Sequence, residues 1–252
     1  MQIEWKWFSF PFDDPRWKHK ALFGALVTLV GFVLFPVFWI LQGYGIQVMR
    51  GMIETGEPSL PEWDDLGRLF VDGFKAFGVI FIYTLPVTLL VLAVVGCSVV
   101  GMIPLFSAAE QASEESVALV SSLLSLAWMP VMACFMPLGI FFGYLAQVAL
   151  TRMVSQDRFS AALELGEVWQ LAKRGFKYYA LAYALLFGLS MALGVVSQFL
   201  IYTIILCCLY PVVLVLVTPY TQVVMGALLG AAYRNTQVAL EAPTPSEPAP
   251  AE

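Results

Sequence analysis

Long uncharged stretches alternate with short polar segments along this chain of 252 residues. Four stretches contain no Asp, Glu, Lys, Arg or His: Ala21–Met49, Ala76–Ala109, Ser116–Thr151 and Tyr178–Tyr233. Their lengths are 29, 34, 36 and 56 residues, and each exceeds the roughly 20 residues that a helix needs to cross a bilayer. The pattern predicts an all-α, multi-pass membrane protein with about four to six membrane segments.

The distribution of Lys and Arg predicts the orientation, because cytoplasmic loops are enriched in these residues. Residues 1–20 hold four, residues 50–75 hold three and residues 152–177 hold five, whereas residues 110–115 hold none. We therefore expect both termini and the two basic loops to lie in the cytoplasm, and residues 110–115 to lie outside. Ser113 should then be accessible from the outside.

This orientation sets the number of crossings for three of the apolar stretches. Ala76–Ala109 and Ser116–Thr151 each connect an inside segment with an outside segment, and each therefore crosses once. Tyr178–Tyr233 begins and ends inside, and as a helix its 56 residues reach about 84 Å, enough for two spans. We expect the turn within residues 194–210.

The first stretch, Ala21–Met49, lies between two segments that are both predicted to be cytoplasmic. It is expected to enter the membrane and return as a re-entrant hairpin, with Gly31 and Pro36 breaking the helix near its middle. The alternative is one tilted, Pro-kinked crossing with the N-terminus outside.

Short sequence similarities indicate an internal repeat. Gly43–Val48 (GYGIQV) resembles Gly143–Val148 (GYLAQV), and Gly73–Lys75 is identical to Gly175–Lys177. The halves would be residues 10–109 and 110–205, followed by a final span to residue 234, all within one membrane domain of residues 1–240. Chance similarity is the alternative, since Gly and aromatic residues recur in membrane helices. If the repeat is real, Ser116–Thr151, with Pro130 and Pro137, could also fold back.

Each half contains a predicted amphipathic helix, with apolar and polar side chains on opposite faces at 100° per residue. In the first, the apolar face comprises Trp63, Leu66, Leu69, Phe70, Phe74 and Phe77, and the water-facing side comprises Asp64, Asp65, Arg68, Asp72 and Lys75. In the second, the apolar face comprises Ala161, Leu165, Val168, Trp169, Ala172 and Phe176. Its polar face comprises Gln170, Lys173, Arg174 and Lys177. Both are expected to lie in the membrane interface and to continue unbroken into the next crossing.

Composition excludes several functional classes. The chain is 60% hydrophobic and only 12% charged, with a net charge of −5, which excludes a soluble globule and argues against nucleic acid binding. It has one histidine, so a His-based acid–base pair cannot form within one chain, and its four cysteines lack metal-binding spacing. We therefore expect no catalytic residue, cofactor or metal, and a protein that is not an enzyme.

Acidic residues form the densest polar motifs. Glu62, Asp64 and Asp65, with Asp72 downstream, are interpreted as the start of a helix, where carboxylates complement the positive helix end. The alternative is a divalent-cation or headgroup site. Nearer the N-terminus, Asp13 or Asp14 is expected to be the N-cap of a helix that begins near Pro15, within an aromatic segment that anchors the chain at the interface.

Two glutamines occupy matching positions in the proposed repeat. Gln47 and Gln147 are expected to face the protein interior near Tyr44 and Tyr144, and they could bond to each other. The alternative is that they line a substrate path. The final segment, residues 241–252, is rich in Pro, Ala and Glu and is expected to be disordered and cytoplasmic.

The motifs between Phe10 and Pro86 resemble a prokaryotic membrane family, the domain of unknown function 4013. The resemblance is carried by Phe10-Pro11-Phe12-Asp13-Asp14-x-x-Trp17, Gly43-Tyr44, Arg50, Gly56-Glu57, Leu60-Pro61-Glu62-Trp63-Asp64-Asp65, Leu69-Phe70-x-Asp72-Gly73 and, at the other end, Tyr233-Arg234. It implies the cytoplasmic membrane of a bacterium or archaeon, and no activity, substrate or cofactor.

The sequence leaves three functional classes open. The favoured one is a non-enzymatic structural, accessory or lipid-organising module whose partners are membrane lipids, with another membrane protein or a second copy as further candidates. The alternative is a small transporter or channel with a path between the repeat halves. A membrane enzyme is disfavoured because the acid–base set is missing.

Overall fold

The computed structural model describes residues 6–109, 114–202 and 209–241. These residues form eight α-helices and contain no strand: α1 (Lys6–Asp13), α2 (Trp17–Val33), α3 (Phe38–Thr55), α4 (Leu66–Ala109), α5 (Glu114–Gln156), α6 (Leu165–Arg174), α7 (Phe176–Tyr202) and α8 (Tyr210–Glu241). Short 3₁₀ turns occupy Phe35–Val37 and Phe159–Leu163. The predicted all-α class is confirmed.

Four of the described helices contain a segment that is long and apolar enough to cross a membrane: Leu66–Gly101, Met129–Gln156, Phe176–Tyr202 and Tyr210–Leu240. They correspond to the four predicted spans. α7 ends at Tyr202 and α8 begins at Tyr210, and residues 203–208, within the predicted turn region, lie outside the described residues. Ser113 and residues 242–252, for which accessibility and disorder were predicted, lie outside the described residues.

The first apolar stretch is a helical hairpin. α2 ends at Val33, because Pro36 cannot continue a helical hydrogen-bond ladder, and α3 begins at Phe38 after the 3₁₀ turn. Phe23 of α2 and Tyr44 of α3 both contact Trp63, with ring centroids 5.1 and 4.0 Å away. The chain therefore returns at Pro36, as the hairpin prediction requires, and a single crossing by this stretch is wrong.

The described residues separate into two compact units. The first contains residues up to 79 and from 147 onward, and the second contains residues 80–146. The ion pairs of Lys20, Arg50 and Arg152 all lie within the first unit. The prediction of one membrane domain over residues 1–240 stays a prediction.

Two of the expected helix paths differ from the structure. α5 continues through Pro130 and Pro137, so Ser116–Thr151 does not fold back. α4 runs unbroken through Lys75 as predicted, but the second amphipathic helix ends at Arg174, and a new helix begins at Phe176. A methyl group at the intervening Gly175 would lie 2.6 Å from Thr236 Oγ1, so the break allows close packing against α8.

The first unit is held together by close backbone contacts at glycines. A methyl group at Gly43 would lie 1.8 Å from the carbonyl oxygen of Leu69, and one at Gly226 would lie 2.3 Å from that of Gly45. α3 therefore packs directly against both α4 and α8. Around these contacts lies a buried cluster made of Phe10, Tyr44, Val48, Leu69, Val223 and Ala227.

These contacts rotate α4 away from the predicted orientation of its faces. Leu69, Asp72, Ala76 and Val79 are buried on one side of the helix. Phe70, Phe74 and Phe77 are exposed instead and contact the ring of Trp39. In α6 the buried face comprises Val168, Leu171 and Ala172, whereas Leu165, Trp169 and the following Phe176 are exposed.

Candidate functional site at the base of the hairpin

A buried lysine organises the base of the α2–α3 hairpin. Lys20 is 7% exposed, and its Nζ donates to Asp14 Oδ2 at 2.7 Å and to the carbonyl oxygen of Leu60 at 2.8 Å. The same ammonium lies 2.9 Å from Glu62 Oε1. Arg16 Nη2 pairs with that oxygen at 2.6 Å. Two cations and two carboxylates thus tie the start of α2 to the segment before α4.

Neighbouring charges keep this network ionised. The hydrogen bond from Lys20, together with the backbone N–H of Arg16, holds the pKa of Asp14 below its usual value. Burial by itself would lower the pKa of Lys20, but the bonds to Asp14 and Glu62 outweigh it and raise that pKa. The site is therefore a neutral cluster of four charges at ordinary pH.

Asp13 and Asp14 have different roles. Asp14 Oδ1 accepts the backbone N–H of Arg16 at 2.7 Å, directly before α2 begins at Trp17. The prediction that Asp13 or Asp14 is the N-cap is wrong. The N-cap of α2 is Arg16, and its side chain forms no capping hydrogen bond. Asp13 is exposed at the end of α1, a helix that the sequence reading did not predict.

The acidic motif before α4 is divided among separate contacts. Asp65 Oδ1 accepts the backbone N–H of Arg68 at 2.9 Å, which is the bond of an N-cap to the first turn. Asp64 is exposed, and Glu62 is taken by the Lys20 network. Among the described residues, no group of three or more His, Cys, Asp or Glu side chains is arranged to hold a metal ion.

Asp72 does not face water as predicted. It is 6% exposed, and its carboxylate lies 3.5 Å from Arg50 Nη1. Arg68 Nε and Lys75 Nζ lie 3.9 and 4.0 Å from it. The correction follows from the rotation of α4, which turns Asp72 toward α3 along with Leu69. Burial of this carboxylate is compensated by three surrounding cations.

Arg50 also links the hairpin to the end of α5. Its Nη2 donates to Asp157 Oδ1 at 2.8 Å. Asp157 has a φ of 49°, in the left-handed region that ends the helix. Arg50 therefore joins α3, α4 and the turn after α5.

An aromatic cavity of about 400 Å³ lies beside the Lys20 network. Tyr44 and Trp63 stack at its wall with planes 6° apart, and Tyr44 donates its hydroxyl to the carbonyl oxygen of Pro61 at 2.9 Å. Tyr220 of α8 donates to the carbonyl oxygen of Phe8 at 3.1 Å. Phe12 and Trp17 complete the aromatic side of the cavity.

The expected interior position of the two repeat glutamines stays a prediction, whereas the possible bond between them is not formed at Gln147 Oε1. Gln47 and Gln147 are both half-buried, and Gln147 Oε1 is buried without a hydrogen-bond partner. That oxygen therefore does not accept a bond from Gln47. Tyr44 is buried in the first unit, and Tyr144 is half-buried in the second.

The sequence did not predict the basic residues that form the centres of the ion-pair networks. The sequence predicted an orientation role for Lys20 and Arg50, and a family resemblance at Arg50, but not that they are the centres of the two ion networks. Arg152 similarly pairs with Glu164 and Glu167. The sequence did carry a signal for the packing of α8. Its small residues Gly226 and Gly230 are spaced four apart, a pattern typical of close helix packing.

The family model described as Protein of unknown function (DUF4013) matches residues 26–202, which is more than half of the chain. The chain belongs to this family. The DUF4013 match includes Tyr44, Glu62 and Asp72, but it begins after Lys20 and ends before Tyr220. Part of the candidate site, and two of the segments that carried the resemblance, therefore lie outside the matched residues.

Family membership brings no activity with it, since the function of DUF4013 is unknown. Support for a membrane protein comes from the four long apolar helices. Neither the curated proteins nor the solved structures contain a match to the chain.

Proposed function

We propose that the protein is a non-enzymatic, lipid-organising module of the cytoplasmic membrane of a bacterium or archaeon. The α2–α3 hairpin enters one leaflet from the cytoplasmic side, and the four spans anchor it. Both termini lie in the cytoplasm. The membrane lipids around the hairpin are the primary partners.

The observation that carries this proposal is the contrast between the tip and the base of the hairpin. Val33 and Phe35 at the tip are 83% and 65% exposed, which is favourable only in an apolar surrounding. Lys20 at the base belongs to a charged network. From Lys20 to the tip, α2 covers about 20 Å at 1.5 Å per residue, less than the roughly 30 Å of hydrocarbon.

The orientation is supported by which segments meet at the base. The basic N-terminal segment contacts the segment before α4 through Lys20 and Glu62, so the two belong on one side. Arg50 pairs with Asp157, which adds the loop after α5 to that side. These are the segments with the most Lys and Arg, and such segments favour the cytoplasm.

Helix ends give support to the proposed repeat. α3 ends at Thr55 and α5 at Gln156, 101 residues later. α4 begins at Leu66 and α6 at Leu165, 99 residues later. Both spacings lie close to the spacing between the two similar Gly-Tyr segments.

Spin labelling of the full chain in phospholipid vesicles tests the hairpin. Labels at Val33→Cys and Lys18→Cys, in a background without the native cysteines, report depth by their collisions with oxygen and with a water-soluble nickel chelate. We expect the Val33→Cys label in hydrocarbon and the Lys18→Cys label in water. Equal exposure of both labels to the chelate would contradict an inserted hairpin.

Lipid organisation has a separate readout. Spin-labelled phospholipid should show a motionally restricted fraction around the protein, and the Val33→Asn, Phe35→Asn double variant should lower that fraction because polar tips stay out of hydrocarbon. An unchanged fraction would show that the hairpin does not order lipid.

A transporter or channel is the second candidate, favoured by buried amides. Gln42, Gln147 and Gln222, on α3, α5 and α8 of the first unit, each have a buried Oε1 without a hydrogen-bond partner. Leaving these oxygens unpaired costs free energy, and a polar solute that passes beside them could donate the missing hydrogen bonds. Potassium flux and glycerol-driven swelling in vesicles test this candidate, and Gln222→Leu should abolish either if it is real.

A further inference from the structure

The aromatic cavity beside Lys20 has the chemistry of an apolar binding site. Three of its polar side chains are already bonded: Lys20 to three oxygens, Tyr44 to Pro61 and Tyr220 to Phe8. What they leave toward a ligand is largely ring and hydrocarbon surface. Its volume of about 400 Å³ falls in the usual range of small-molecule sites, about 300–1,000 Å³.

Trp63 lines the cavity with ring carbon atoms, because its Nε1 is buried away from accessible space. The Lys20 network next to it is neutral and internally paired, so it offers no free charge to an ionic ligand.

The cavity also continues onto the apolar exterior of a span. Leu216 of α8 lines the cavity and is 54% exposed, and Val212, one turn earlier, is 53% exposed. In a chain with four membrane-crossing helices, this exterior is covered by lipid chains. An acyl chain can therefore enter the cavity from the bilayer along α8.

We propose that this cavity binds one acyl chain of a membrane glycerophospholipid. The inference rests on the proposed function, because it requires the hairpin base to lie at the membrane surface. It adds a defined lipid site to the general ordering of lipid by the hairpin tip.

Photo-crosslinking of the full chain tests the site. The protein is placed in phosphatidylcholine vesicles that contain a phospholipid with a diazirine in one acyl chain, and labelled residues are mapped by mass spectrometry. We expect labels at Leu216, Ala21 and Phe12, which line the cavity. A probe with the diazirine in its headgroup should not label them.

Matched variants separate the cavity from the lipid-facing surface. Ala21→Phe fills the cavity and should remove the label. Its control is Leu22→Phe at the next residue, which does not line the cavity and is 70% exposed, and this variant should retain the label. Leu216→Trp and its control Val212→Trp provide a second pair if Ala21→Phe does not fold.

Three results would overturn the proposal: no label at the lining residues, equal labelling of both members of each pair, or labelling by a free fatty-acid probe but not by the phospholipid. The label at Val33→Cys is measured separately. If it lies in hydrocarbon while the cavity stays unlabelled, only the lipid site fails. If it lies in water, the proposed function itself fails.

Discussion

Tyr44 and Trp63 stack face to face, with their ring centroids 4.0 Å apart. The stack joins α3 to the segment that leads into α4, and the Tyr44 hydroxyl reinforces it through the carbonyl oxygen of Pro61. Phe23 of α2 packs against the same indole. One aromatic side chain therefore holds both arms of the hairpin to the start of the next helix.

Trp63→Ala should lower the free energy of unfolding by about 3 kcal/mol, because it removes ring contacts with both arms of the hairpin. Tyr44→Phe keeps the stack and loses one hydrogen bond, for a cost of about 1 kcal/mol. Thermal unfolding in mild detergent measures both. Equal losses would show that the hydroxyl, and not the stack, carries the contact.

Gly73→Ala should be among the most destabilising single methyl additions in the chain. The new carbon would lie 1.7 Å from the carbonyl oxygen of Trp39, and backbone cannot move aside cheaply. We expect a loss of about 3 kcal/mol or more. Gly96→Ala on the same helix meets nothing within 4 Å and should be neutral or gain up to about 1 kcal/mol.

Lys20 and Arg16 contact the same carboxylate but should differ in their effect on stability. Lys20→Met leaves Asp14 and Glu62 without their buried cation and should cost about 3 kcal/mol. Arg16→Gln removes a pair whose side chains are 67% and 41% exposed, and should cost under about 1 kcal/mol. Chemical unfolding measures the free energy of unfolding of both variants. A larger loss of this free energy for Arg16→Gln would contradict Lys20 as the centre of the network.

The pH dependence of stability follows from the same network. The pKa of Asp14 is lowered on folding, so its contribution is full above about pH 4 and is lost as the pH falls through the folded value. The pKa of Lys20 is raised, so its contribution is full below about pH 10 and is lost as the pH rises through the folded value.

Melting temperatures from pH 2 to 11 test this window. The wild type should lose stability at both ends, and Asp14→Asn should be less stable at pH 7 while losing less on acidification. A variant whose acid limb matches that of the wild type would contradict the role of Asp14.

Cysteine accessibility tests the orientation. In a background without the native cysteines, Ser59→Cys and Ser160→Cys should react with an impermeant maleimide only after the cells are opened, whereas Ser113→Cys should react in intact cells. The physical reason is the positive charge around the first two sites. External labelling of Ser59→Cys would contradict a cytoplasmic base of the hairpin.

The sequence by itself determined the membrane class and the four spans, and it favoured the return of the chain at Pro36. The spans are a local property, because uncharged length decides whether a helix can cross. Proline is a weaker signal, since α2 ends before Pro36 but α5 continues through Pro130 and Pro137. The start of α4 was predicted only approximately, because the helix begins at Leu66, after the acidic motif, and Asp65 bonds to Arg68 in its first turn.

Only the tertiary structure decided which sides of the helices are buried and where the charges pair. The contact of Gly43 with the backbone of α4 sets the rotation of that helix. The rotation buries Asp72 and exposes Phe74, which is the opposite of the faces predicted from amphipathic periodicity. Lys20 meets Glu62 because the hairpin closes. Contacts between residues so distant in sequence depend on packing, which hydrophobic periodicity does not encode.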